Sequence, residues 1–153
     1  MFHVLRPVIA IAALAFSGAA FADLKFHNPV VPPTIPGIKV ASVYVNIENT
    51  SDQPVTLTSY KSNVAKNVEL HESTVNNSRM VMRNIAEITI KGGQQLALKP
   101  GNYHLMLIGL NKRLAPGDAV DITVTDSEGN DYSFSTEVTA TQDEQDHSHH
   151  AHH

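Results

Sequence analysis

Along much of this chain, apolar residues return at every second position in short stretches, and turn residues separate the stretches. Val43, Val45 and Ile47 alternate with Tyr44, Asn46 and Glu48, the pattern of a strand buried on one face. Residues 49–54 (NTSDQP) form a turn cluster, and 55–58 open the next strand. Residues 68–71, 85–90, 95–98 and 103–107 read as further strands, punctuated by Lys91-Gly92-Gly93 and Lys99-Pro100-Gly101. Ala115-Pro116-Gly117-Asp118 precedes a strand in which Val120, Ile122 and Val124 share a face, and residues 127–130 read as a hairpin loop into 132–138. No window of a dozen residues carries a helical stripe. Roughly seven or eight short strands joined by turn signals predict an all-β fold, a Greek-key β-sandwich.

The ends differ from this body. His3 and Arg6 open a polar, basic start, residues 7–16 are an apolar run, and Ala20-Phe21-Ala22 supplies small residues. Residues 1–22 are therefore expected to be a signal peptide cut after Ala22, exporting the chain to the periplasm. The apolar run is short for a membrane span of about 20 residues, so no membrane anchor is expected after cleavage. Residues 23–39 hold Pro29, Pro32, Pro33 and Pro36 and are expected as an extended arm, not a central strand, because Pro cannot donate to a ladder. The sandwich is assigned to 40–138 and a flexible His-rich tail to 139–153. That tail ends in DHSHHAHH, with His147, His149, His150, His152 and His153.

A net charge of −4 without clustered Lys and Arg excludes a nucleic-acid binder built on a basic face. The length fits one domain with a core of its own. The sequence has no Cys, so this exported chain folds without disulfides.

Methionine is scarce. Of four Met, Met1 is the initiator, which leaves Met80, Met82 and Met106. In a strand over 103–107, His104 and Met106 project to one face while Tyr103, Leu105 and Leu107 project to the other. His71 ends a second apolar stretch, and Met82 follows a polar loop over 72–79 able to fold back over the site. Singly, each of these residues also reads as a surface His or a gap-filling Met; together, His71, Met82, His104 and Met106 form a soft, neutral imidazole–thioether set that suits Cu(I). Met80 shares a face with Met82 if its segment is extended and is a secondary candidate. The tail's interrupted His run, after Asp143-Glu144, is unlike an expression tag and offers nitrogen donors suited to Cu(II), Zn(II) or Ni(II).

Other chemistries fare poorly. A blue-copper carrier needs a Cys ligand, which is absent. There is no nucleophile-elbow sequence and no H-E-x-x-H. No enzymatic activity is expected.

The spacing His71-x10-Met82-x21-His104-x-Met106 resembles the H-x10-M-x21-H-x-M signature of the periplasmic copper chaperone family PCuAC. The surrounding text is similar too: Val68-Glu69-Leu70-His71-Glu72, Leu98-Lys99-Pro100-Gly101 before Tyr103–Leu110, and the later Ala115-Pro116-Gly117-Asp118. The likeness runs from about Val40 to Val138. It implies a cupredoxin-like sandwich that binds Cu(I) at an exposed edge through His71, Met82, His104 and Met106. It further implies delivery to a copper-acceptor protein, a cytochrome c oxidase subunit or its assembly factor. One position departs: many members carry Met directly after the first His, where Glu72 stands here, which bears on auxiliary ligands and leaves the four intact. The competing reading is a periplasmic copper or zinc buffer, or metal-resistance protein, without a dedicated recipient; a third is a structural sandwich with incidental His and Met. A monomer or a metal-linked dimer is expected.

Overall fold

The computed structural model describes residues 23–140; the expected signal peptide at 1–22 and the tail residues 141–153, with all five tail His, lie outside them. Ten strands follow in order: β1 (Leu24–Val30), β2 (Val40–Asn49), β3 (Val55–Ser62), β4 (Ala65–Asn76), β5 (Arg79–Asn84), β6 (Ile88–Ile90), β7 (Gln95–Leu98), β8 (Tyr103–Leu110), β9 (Ala119–Asp126) and β10 (Asp131–Glu137). There is no helix among the described residues. The strands read from the alternation map onto β2–β4 and β6–β10; the two additional ones are β1 and β5.

The sheet runs β1-β2-β7-β8-β4-β3-β9-β10, with β2 also pairing β8. Strands β2 and β3, consecutive in sequence, are thus separated in space by β8 and β4, a connection of the Greek-key kind. Inward alternation builds one core: Val43, Val45 and Ile47 of β2, Leu70 of β4, Leu105 and Leu107 of β8, and Val120, Ile122 and Val124 of β9 are all buried. The sheet curls until its two ends meet. Phe26 of β1 stacks on Phe134 of β10 with ring centroids 4.6 Å apart, and Val31 bridges Val138. The residues expected as an arm therefore supply an edge strand, and its Pro29 falls where the β1–β2 register shifts between His27 and Val30, a place that tolerates a missing donor.

Two features anchor the β2–β3 turn. Asn49 is fully buried; its amide donates to the carbonyls of Gln53 and Ile90 while its side-chain oxygen accepts from the Ser51 backbone and hydroxyl. Gly92 packs so closely that a Cβ there would lie 2.6 Å from the Asp52 backbone. At the adjoining β9–β10 hairpin, where Ser127 donates to the Thr56 carbonyl, burial works against ionised Asp126, but hydrogen bonds from Asn130, Tyr132 and Glu128 outweigh it and hold the carboxyl below its usual range.

The stretch 72–79 corrects the expectation of a loop. β4 continues to Asn76, and Asn77-Ser78 turns the chain straight into β5, with Asn76 opposite Arg79. Asn77 and Ser78 have φ of 49° and 63°, the paired positive angles of a type I′ hairpin turn. Every residue of β5 is exposed, so its strand is made by backbone pairing with β4 and the surface ion pair of Arg83 with Glu72, 2.8 Å, and it buries no apolar face.

Candidate metal centre

Antiparallel pairing of β4 with β8 sets His71 opposite His104 and Glu69 opposite Met106. On the inner face of the same two strands Leu70 meets Leu105 and Val68 meets Leu107, all four buried. The core pairs fix the register, and strand alternation then sends His71, Glu69, His104 and Met106 to the opposite face together. The two imidazoles lie edge to face with centroids 5.7 Å apart. Tyr44 of β2 flanks His104 at 6.3 Å, and His104 is only 3% exposed.

Each ring has one engaged nitrogen and one without a partner. His71 Nε2 lies 2.7 Å from Glu69 Oε2, while its Nδ1 is buried with no hydrogen-bond partner. His104 is hydrogen-bonded to the backbone of Asn102, while its Nε2 is buried and unpartnered. Leaving a buried polar atom unpaired costs about 1–3 kcal/mol, so two of them side by side mark a place built for a ligand that accepts lone pairs. The spacing fits a shared ion. With metal–nitrogen bonds of about 2.0 Å, each centroid sits roughly 3.1 Å from the ion, so centroids range from about 5.4 Å apart at a trigonal angle to about 6.2 Å when linear. The observed 5.7 Å lies between. Among the described residues no three His, Cys, Asp or Glu gather as a metal-holding group; the half-buried thioether of Met106 shares the face of the two imidazoles.

Met82 stands apart from that trio. It pairs with Ser73, while His71 pairs with Asn84, so Met82 is a diagonal neighbour of His71 on the same face. Met80, opposite Val75, is one step farther out, and the two methionines do share a face as an extended segment requires. They are 53% and 63% exposed. On a flat sheet, two strand spacings of about 4.8 Å and four residues of about 3.4 Å would separate Met82 from Met106 by roughly 17 Å. The structure thus brings His71, His104 and Met106 together and leaves Met82 on an exposed hairpin that must curl to join them. Three contributors escaped the sequence reading: Glu69, Tyr44 and the Asn102 carbonyl. Glu69 was within reach, since Glu-x-His obeys the same two-residue rule as His-x-Met.

Burial, then the neighbouring His71, hold the His104 pKa below the ordinary 6.5, against the opposing Asn102 hydrogen bond. The ring therefore stays neutral, with its lone pair free, at pH values where an exposed imidazole is partly protonated. In the window just below 6.5 the unfolded chain binds more protons than the folded one, so stability falls as pH drops through it and levels off once the folded ring is also protonated. Metal-free protein is expected to show a falling urea midpoint from pH 7 to pH 5, and His104→Gln a flatter profile over that range.

The LpqE-like family model matches residues 24–138. A chain described as a lipoprotein, Lxx21020 of Leifsonia xyli subsp. xyli, is 28% identical over 94 residues, 61% of this chain. The match spans only 57% of that relative's length. Among solved structures, the copper-bound PCuAC domain from PmoF2 superposes with a TM-score of 0.63 at 20% identity, over 77% of this chain and 93% of that domain. The Cu(I) form of DR1885 from Deinococcus radiodurans gives 0.58 at 26% identity, over 84% of this chain and 85% of that one. The chain belongs to the LpqE-like family, and its sandwich is that of the PCuAC domains.

Proposed function

We propose that this chain is a periplasmic copper chaperone that carries Cu(I) on the β4–β8 face and hands it to a copper-acceptor protein. The observation that carries the reading is the pair of adjacent imidazoles, one buried and one partly buried, with centroids 5.7 Å apart and one buried, unpartnered nitrogen each, beside the thioether of Met106. In this reading His71, His104 and Met106 form the preset part of the site, and Met82 closes it as the hairpin curls. Neutral soft donors hold Cu(I) without the charge of a thiolate cage, which keeps the ion exchangeable. The copper named for the PmoF2 domain and for DR1885 supports the choice of metal.

The recipient in this proposal is a respiratory oxidase copper site, a cytochrome c oxidase subunit or its assembly factor. Val75, Met80, Val81 and Met82 are exposed on the hairpin and give such a partner access to the ion. The tail His147, His149, His150, His152 and His153 would gather Cu(II) separately. Export in this reading follows cleavage after Ala22. The chain is a carrier in this reading, not an enzyme.

The test is stoichiometry followed by transfer. Protein beginning at Asp23 and ending at Ala140, which keeps every strand and the closing contact of Val31 with Val138, is titrated with Cu(I) against a chromophoric chelator. It is then mixed with a metal-free oxidase copper domain. One tightly held ion that moves to the acceptor is expected. Retention with no transfer would favour a metal buffer without a recipient, and no tight Cu(I) in the shortened chain would sink the sandwich site altogether.

A further inference from the structure

We propose that Glu69 is a positioning residue: by accepting the Nε2–H of His71 it fixes that ring's tautomer, so that copper is held by Nδ1 of His71 and Nε2 of His104. This deepens the copper reading and rests on it. The two histidines come from facing strands and occupy equivalent cross-strand positions, yet their environments select opposite nitrogens.

The local geometry makes the choice. Glu69 and His71 are two apart on β4, so their side chains share a face, and the carboxylate meets Nε2 at 2.7 Å. Turning the ring over would place Cε1 against that carboxylate and forfeit the bond. A neutral imidazole has one N–H and one lone pair; with the hydrogen held on Nε2, the lone pair must sit on Nδ1, the buried atom with no partner. On His104 the Asn102 backbone accepts from the ring, which leaves Nε2 as the atom with a free lone pair. One ring is thus held by a carboxylate and the other by a carbonyl, the two kinds of second partner that orient metal-binding imidazoles and raise their basicity.

The carboxylate adds a second effect. Glu69 sits opposite Met106 in the pairing, so its negative charge lies beside the neutral donors and favours a bound monocation. The side chain is 39% exposed, so its replacement leaves the core untouched.

The test reads tautomer and affinity separately. In 15N-labelled, metal-free protein starting at Asp23, long-range 1H–15N correlations report which nitrogen of each ring carries the proton. His71 is expected as the Nε2–H form and His104 as the Nδ1–H form, with the His71 signals identified by their loss in His71→Ala. On adding Cu(I), Nδ1 of His71 and Nε2 of His104 should shift most. Glu69→Ala should leave His71 as a mixture of tautomers and weaken Cu(I) binding about 10–100-fold. Glu69→Gln keeps an acceptor oxygen and should restore the tautomer, with affinity within a few fold of the original. A His71 found as Nδ1–H, or an unchanged affinity in Glu69→Ala, overturns the role of Glu69. A parent protein that holds no Cu(I) while His71 is Nε2–H overturns the copper reading instead.

Discussion

Replacing His104 with Ala is expected to weaken Cu(I) binding by about three orders of magnitude, roughly 4 kcal/mol, whereas Met82→Ala should cost only about tenfold. The difference follows from how each donor is held before the ion arrives. His104 is buried, its ring oriented by the Asn102 backbone, and its Nε2 is unpartnered. Copper there replaces nothing and orders nothing. Met82 is 53% exposed on a strand with no buried residue, so recruiting it means fixing a mobile side chain, at a cost of up to about 2 kcal/mol for a Met, and bending the hairpin as well. Much of what its sulfur gains is thus offset. Met106→Ala belongs near His104 in this order, because Met106 already lies on the preset face. Chelator competition on the three single variants gives the ranking directly. Equal losses for Met82→Ala and His104→Ala would mean that the hairpin is already closed in solution.

That contrast also explains what could be read from the sequence. The shared face of the candidate trio at β4 and β8 was legible because each of its residues is tied to a buried neighbour one residue away: His104 and Met106 flank Leu105, and His71 follows Leu70. Core alternation advertises the inner residues, and the outer ones are then fixed by period two. The hairpin carried no such advertisement. With all of β5 exposed, its only local mark was Asn77-Ser78, a turn pair whose left-handed φ values Asn adopts readily and Ser seldom does. β1 was hidden for another reason: Pro29 argues against a central strand, and it is an edge strand that tolerates it. Asn49, which opened a polar cluster in the sequence, turned out buried, with its amide shared between the nearby Gln53 carbonyl and the distant Ile90 carbonyl, and no local pattern announces the second partner. Glu69 was visible but reads as an ordinary outward charge until the neighbouring imidazole needs an acceptor.

Leu105 links the two halves of the molecule, and Leu105→Ala should lower the stability of the metal-free protein by about 3–4 kcal/mol. Its side chain is fully buried opposite Leu70, next to the His71–His104 pair, so truncation leaves a cavity in the layer that supports the candidate ligand face. Against a total of about 5–15 kcal/mol for a domain, that is a large share, and the urea midpoint should fall with an unchanged slope. Copper should then mask the defect. An ion that binds only the folded state adds about 4 kcal/mol when free Cu(I) stands a thousandfold above the dissociation constant, enough to return the variant close to the metal-free parent. The size of that rescue reports how firmly the core holds the site. If Leu105→Ala gains as much from Cu(I) as the parent does, the cavity has relaxed without moving His104 and Met106. A smaller gain means that the backbone of β8 has shifted, because a few tenths of an ångström at the core face move both donors at once.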